Sequence, residues 1–260
     1  MSLPQSREDR EMNKIYAVGI GPGTPGQMTA DAEKTIRKCS AIAGYKLYLD
    51  QIKHLTEGKK IIPGGMRQEI QRCRAAMDAV LAGETVAVIS SGDAGVYGMA
   101  GLLMELTKEE AYKDITVEVV PGITAALSCA ALVGAPFMND FAVISLSDLM
   151  TNEAVIKKRL AALAEADLPV AIYNPASTKR QVLLPYAVET FRRIGGNLPC
   201  AIIRDAYRPE QQIHIATLDT FPFELVQMTT LVIFGNSQTI FDGKHFYNPR
   251  GYREKYGVGS

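Results

Sequence analysis

The sequence has no tryptophan, only three histidines and four cysteines, and no net charge, with 28 Lys and Arg against 28 Asp and Glu. Each shortage excludes something. Balanced charge argues against broad, non-specific nucleic-acid binding, which needs an excess of cations. A local basic pocket stays open. The cysteines, Cys39, Cys73, Cys129 and Cys200, lie far apart and form no C-x-x-C pair. Neither a disulfide framework nor a zinc site is expected from that spacing. The histidines, His54, His214 and His245, are isolated, with no H-E-x-x-H spacing. No metal site is therefore expected. There is no Walker A sequence, no G-x-S-x-G and no cysteine with a nearby histidine. No apolar run approaches the ~20 residues that a membrane span requires. Residues 1–13 are polar and charged; they read as a flexible tail and not as a signal peptide. A cytoplasmic enzyme with reduced thiols, and with neither nucleic-acid nor membrane partners, fits these absences.

What is present suits a globular enzyme. The 260 residues are 47% hydrophobic and 22% charged, enough for one large domain or two medium ones. Residues 14–20, 41–45, 59–63, 85–90 and 115–122 read as short buried strands. Between them lie helical patterns. MTADAEKTIRKCS has Thr29 as a plausible N-cap, with Asp31 and Glu33 in its first turn. MRQEIQRCRAAMDAVLAGE places Ile70, Cys73, Met77, Val80 and Leu81 at helical spacing and stops at Gly83. A further helix is expected to start near Val96. Strands alternating with helices predict a parallel sheet covered on both faces. VVPGIT then interrupts the pattern, so the expected domains are 14–122 and 123–260. The second half begins with a small-residue helix, ITAALSCAALVGAP. Five more strands follow: FAVISL, PVAIY, CAIIRD, QIHIATL and TTLVIFGN. The last three lie too close together for long crossovers, which predicts antiparallel pairs and a mixed α/β domain.

Several loops after apolar strands carry unusual residues. GIGPG, from Gly19 to Gly23, looks like a dinucleotide fingerprint but fails its geometry. The third glycine comes one position early, Pro22 interrupts the loop, and the helix begins only near Thr29. It is either a turn at a sheet edge or a loop that lets a bulky ligand approach the backbone. In SSGDAGVYG, residues 90–98, Asp93 either caps the following helix or contacts a ligand. PGIT, with Thr124, is either a linker or a donor-rich turn. YNPASTKR at 173–180 and IIRDAYRP at 202–209 add hydrogen-bonding and cationic groups, which by default would be a solvated rim. No nucleophile–base pair appears in any of them, which favours chemistry that works by positioning two reactive ligands, as in group transfer.

Together, GIGPG, GYKLY, SSGDAGVYGMAG, VVPGITAALSCAALVGAPF, YNPAS and NPRGY resemble the precorrin-3B and cobalt-factor III C-17 methyltransferases of cobalamin biosynthesis. The resemblance runs from about residue 14 to about 252. It implies an α/β, two-domain tetrapyrrole methylase fold, with a parallel-sheet N-terminal domain, a mixed-sheet C-terminal domain, and the active cleft between them. It implies a homodimer that uses S-adenosyl-L-methionine and releases S-adenosyl-L-homocysteine. Methyl transfer to C-17 would accompany contraction of the ring. Alternatives are methylation of another ring carbon, or a non-catalytic tetrapyrrole-binding module.

By the same resemblance, the cofactor contacts map onto Gly92, Asp93, Gly95, Val96, Tyr97, Thr124, Ala125, Tyr173, Asn174, Ala206 and Thr230. Gly19, Gly21, Pro22 and Gly23 would line the tetrapyrrole side. Asp93 and Tyr97 are the candidates for acid–base help in ring contraction. The substrate is rich in carboxylates, so Lys46, Arg67, Lys179, Arg180, Arg204 and Arg250 are candidate partners, each otherwise a surface charge. Gly65 and Arg67 depart from the small polar residues expected in that loop. Cobalt, where present, would arrive inside the substrate.

Overall fold

The computed structural model describes residues 13–65, 67–176 and 182–257. Residues 1–12 of the expected 1–13 tail, and the candidates Lys179 and Arg180, lie outside the described residues, while Asn13 is described and its carbonyl accepts the Thr116 N–H at 2.8 Å. The chain divides into two compact units at Ala125/Ala126.

The first unit is a five-stranded parallel sheet of β1 (Lys14–Gly19), β2 (Ala41–Tyr45), β3 (Lys60–Gly64), β4 (Val86–Ser90) and β5 (Thr116–Val120), in the order β3-β2-β4-β1-β5. The inner strands β1, β2 and β4 are buried at successive positions because both faces are covered, whereas β3 and β5, expected to be buried, are edge strands and mostly exposed or half-buried. On one face Tyr16, Val18, Ile42 and Ile89 pack with Ile36 of α1 (Ala30–Lys38) and Leu49 of α2 (Lys46–Gln51). On the other, Ile15, Ala17, Ala43 and Val88 pack with Met77 of α3 (Glu69–Leu81) and Leu103 of α4 (Ala100–Leu106). Fully burying a side chain such as Ile15 or Met77 contributes about 2 kcal/mol by area transfer. Thr29 caps α1 as expected, its hydroxyl accepting the Ala32 N–H at 3.1 Å.

Two helix expectations need correction. The helix expected from Val96 starts at Ala100, after a run of bends, and Asp93 does not cap it. In α3, Ile70 and Leu81 are about half exposed, while Arg72 is buried. Helical spacing marks a stripe, but Ile70 and Leu81 sit at its two ends, beyond the reach of the sheet. The helix α2 went unread because its six residues are too short for a periodic signal.

The second unit holds α5 (Ala125–Val133), β6 (Gly134–Ala135), β7 (Ala142–Ser145), α6 (Glu153–Glu165), β8 (Val170–Tyr173), α7 (Leu183–Gly195), β9 (Pro199–Arg204), β10 (Gln212–Thr217), β11 (Thr230–Phe234), β12 (Ile240–Phe241), β13 (Phe246–Tyr247) and α8 (Tyr252–Tyr256). The main sheet runs β10-β9-β11-β8-β7 and is mixed. β7 and β8 are parallel, while β10 with β9, β11 with β9, and β11 with β8 are antiparallel. The short links between the last three strands have the consequence expected of them. Ile156 and Leu160 of α6 and Phe191 of α7 cover one face, where Phe191 meets Phe234 edge-on at 5.2 Å. A small sheet, β12-β13-β6, was not anticipated, since its strands are two residues each.

Candidate functional site

In the first unit, β1 and β4 are neighbours whose onward connections leave in opposite directions, β1 towards β2 and β4 towards β5. Open parallel sheets bind ligands at the carboxyl ends of such a pair. The loops there are GIGPG and SSGDAGVYG. They are bonded to each other: Ile20 donates to the Ser90 carbonyl at 2.9 Å, and Gly21 and Gly92 exchange both backbone bonds at 3.0 and 2.8 Å. Gly21 and Gly92 have φ of 72° and 70°, a left-handed conformation that glycine adopts without strain.

The turn after β5 joins this pair through glycine. A Cβ on Gly19 would lie 2.7 Å from both the Gly122 nitrogen and the Gly92 carbonyl oxygen, and one on Gly122 would collide with the Gly92 carbonyl. These glycines serve the close approach of three backbone segments to one another. Asp93 closes the set. Its Oδ1 accepts the Gly95 N–H at 2.8 Å and its Oδ2 accepts the Gly122 N–H at 2.9 Å. A carboxylate offers about four lone-pair positions, so acceptor capacity remains after two bonds.

Around Asp93 the surface is graded. Gly92 and Ala94 are buried, Val96 is half-buried, and Gly95 and Tyr97 are exposed. Tyr97 has φ 55°, unusual for a bulky residue and a mark of a loop held by its surroundings. Thr124 and Ala125 are half-buried at the start of α5, with Thr124 Cα 3.6 Å and the Ala125 nitrogen 3.5 Å from the Cβ position of Gly92. Gly23 also has a positive φ, 140°, and Pro22 precedes it buried.

The second unit repeats the theme at one sheet edge. β7, β8 and β9 run the same way, since β11 is antiparallel to both β8 and β9. Ser145, Tyr173 and Arg204 therefore end their strands together, and Thr230 begins β11 opposite Arg204. Asn174, at φ 51°, donates through Nδ2 to Ser145 Oγ at 2.9 Å. The Tyr173 hydroxyl accepts the Ala126 N–H at 2.8 Å, capping α5. Thr230 is buried, its hydroxyl accepting the Gln227 N–H at 2.9 Å. Ala206 sits half-buried in a tight turn between Asp205, φ 47°, and Tyr207, φ 60°. Asp205 lies between Arg204 and Arg208, at 3.7 and 3.6 Å.

The other cations are placed variously. Lys46 is exposed and paired with Asp50 at 2.9 Å. Arg67 is exposed with φ 65°. Arg250 is exposed and donates to the Met138 carbonyl at 3.4 Å. The sequence missed Ser145, the Gly122 contact and Arg72. A signal existed for the turns, because Asn and Asp tolerate left-handed backbone and both occur straight after strands.

The residues fit S-adenosylmethionine better than a metal ion. A carboxylate with spare lone pairs suits one positive charge, and in the same unit the half-buried backbone at Val96 suits a flat, polar group. Among the described residues, no three His, Cys, Asp or Glu cluster as metal ligands.

Comparison with known proteins agrees with this fold. The family described as Tetrapyrrole (Corrin/Porphyrin) Methylases matches residues 14–222. A Salmonella typhimurium protein named "Probable cobalt-factor III C(17)-methyltransferase" is 42% identical over 239 residues, 92% of this chain and 99% of that protein. The solved structure titled "Crystal structure of the methyltransferase CobJ" matches at TM-score 0.86 and 32% identity, over 91% of this chain and 100% of the other. A Thermus thermophilus uroporphyrin-III C-methyl transferase, solved in complex with S-adenosyl homocysteine, shares the fold at TM-score 0.66 and 22% identity, over 85% of this chain and 97% of the other. With its parallel sheet, its mixed sheet and its glycine-bonded strand-end loops, this chain belongs to the tetrapyrrole (corrin/porphyrin) methylase family.

Proposed function

We propose that the protein transfers a methyl group from S-adenosylmethionine to C-17 of a precorrin-3-type tetrapyrrole, precorrin-3B or cobalt-factor III. The transfer accompanies contraction of the ring in cobalamin biosynthesis. One observation carries the reading: Asp93 locks the SSGDAGVYG loop to Gly122, in a chain 42% identical, along nearly its whole length, to a protein named as a C(17)-methyltransferase.

The proposed cofactor contacts are Gly92, Asp93, Gly95, Val96, Tyr97, Thr124, Ala125, Tyr173, Asn174, Ala206 and Thr230. When bound, the cofactor supplies an electrophilic methyl on a sulfonium centre and leaves as S-adenosyl-L-homocysteine. The chain's own work is positioning, which can supply ~7–11 kcal/mol of a two-reactant barrier. Asp93 holds the loop and offers its remaining lone pairs to a cation. The Thr230 and Tyr173 hydroxyls already accept the Gln227 and Ala126 N–H groups, so we assign their cofactor contacts to backbone and ring. Tyr97 is exposed and carries a phenol that can move a proton during ring contraction. Gly19, Gly21, Pro22 and Gly23 would face the macrocycle. Lys46, Arg67, Arg204 and Arg250 would meet its carboxylates. Cobalt belongs to the substrate. We place the enzyme in the cytoplasm as a homodimer, which sedimentation of the purified protein tests.

Incubating the protein with S-adenosylmethionine and cobalt-factor III, or the metal-free precursor, tests the reaction. The expected product has the mass of one added methyl. No methylated product from either precursor would overturn the reading.

A further inference from the structure

We infer that Arg72 is an anion anchor at the carboxyl end of the first sheet, taking a carboxylate of the tetrapyrrole. The identity of that anion rests on the function proposed above; the anion site itself does not.

Arg72 is 6% exposed. It stands in the first turn of α3, beside the exit from β3. A guanidinium has five N–H donors. Here Nη1 reaches the Gly65 carbonyl at 3.3 Å, Nη2 reaches Met99 Sδ at 3.6 Å, and Nε has no hydrogen-bond partner among the described residues. Both contacts are long, and neither partner is an anion. Buried polar groups are nearly always satisfied, and buried charges nearly always paired. A buried guanidinium with no carboxylate among the described residues is half of an ion pair.

Its surroundings favour an anion further. The α3 start has no side-chain cap, because Gln68 Oε1 accepts the Gly65 N–H at 2.8 Å instead. The free amides of that turn add to the positive charge of Arg72. Glu69 is the only acid in the turn, and its Oε1 accepts the Arg67 N–H at 3.2 Å. A Cβ on Gly64 would lie 2.7 Å from Nη1, so glycine makes room for the guanidinium. Its two contacts, Gly65 and Met99, follow β3 and the β4 loop, on the edge where the SSGDAGVYG loop lies. Arginine grips carboxylates through paired N–H groups, and the peripheral carboxylates of a precorrin supply that partner.

The test compares the full-length wild type with Arg72→Met and Arg72→Lys. Thermal unfolding is measured in chloride and in succinate at equal ionic strength. Succinate should raise the wild-type midpoint by several degrees more than chloride does, Arg72→Lys should keep part of that rise, and Arg72→Met should show none. In chloride, Arg72→Met should unfold at or above the wild-type temperature, since an apolar side chain replaces an unpaired buried charge. In kinetics with cobalt-factor III, Arg72→Met should raise the tetrapyrrole KM ~10- to 100-fold and leave the S-adenosylmethionine KM near wild type. Equal succinate responses in wild type and Arg72→Met, or an Arg72→Met protein destabilised by several degrees in chloride, would overturn the anion site. A succinate response with an unchanged tetrapyrrole KM, or with both KM values raised together, would overturn its assignment to the substrate. A wild type inactive on every precursor would sink the proposed function, and the succinate comparison would still decide Arg72.

Discussion

Asp93 accepts the backbone N–H of Gly122 at 2.9 Å through Oδ2, while its Oδ1 holds Gly95 at 2.8 Å. One carboxylate thus ties the loop after β4 to the turn after β5. Replacing it with Asn keeps the size but turns one acceptor into a donor, which must then face a backbone N–H. Bonds to a charged acceptor are worth about 1.5–3 kcal/mol. Asp93→Asn should therefore weaken S-adenosylmethionine binding ~10- to 100-fold by calorimetry. Affinity and turnover near wild type would remove Asp93 from the site.

Gly122 tests the packing of those loops. A Cβ there collides with the Gly92 carbonyl, so Gly122→Ala must push two strand-end loops apart. Overpacking of this kind costs about 1–3 kcal/mol. A lower unfolding temperature is expected, together with a loss of methyl transfer. Gly101 is the internal control. It lies in α4, and a Cβ there meets nothing within 4 Å. Gly101→Ala should stabilise by about 0.5–1 kcal/mol with activity retained.

Tyr173 separates hydroxyl from ring. Tyr173→Phe loses the acceptor for the Ala126 N–H. The expected cost is about 1 kcal/mol, read as a small fall in the denaturant midpoint. Tyr173→Ala should in addition weaken cofactor binding, because the ring at the end of β8 goes too. Equal effects of the two substitutions would contradict a role for the ring.

Much of the scaffold was legible because strand burial and helix capping are local. Continuous apolar strands gave the parallel sheet, and close spacing gave the antiparallel pairs around β9 and β11. The candidate site was legible only as loops. Which partners those loops choose depends on residues far apart: Asp93 with Gly122, Tyr173 with Ala126, Asn174 with Ser145. No periodicity records such pairings. Arg72 was hidden for the same reason, since it sits at helical spacing among alternatives of better hydropathy. Ile70 and Leu81 looked like core only because an apolar residue does not reveal whether its turn of helix overhangs the sheet.

The thiols give a pH prediction. Burial pushes Cys39 and Cys73 up to about 11, and Cys129 and Cys200 to about 12, from an ordinary 9.0. All four are free and buried. Folding keeps them protonated, so this contribution to stability is complete below pH about 9 and is lost as pH rises towards 11–12, where the unfolded chain alone releases protons. Denaturant unfolding should show falling stability above pH ~9. Alkylation at neutral pH should be slow in the native protein and fast once it is unfolded. Rapid labelling of the folded protein would contradict the burial of these groups.

The central claim is the site of methylation, and the position of a labelled carbon tests it directly. The protein is incubated with S-adenosylmethionine carrying an isotopically labelled methyl, together with cobalt-factor III or precorrin-3B, and the product is read by NMR. The label should appear on C-17 of a contracted ring. A label on any other ring carbon, or none on the tetrapyrrole, would contradict the account.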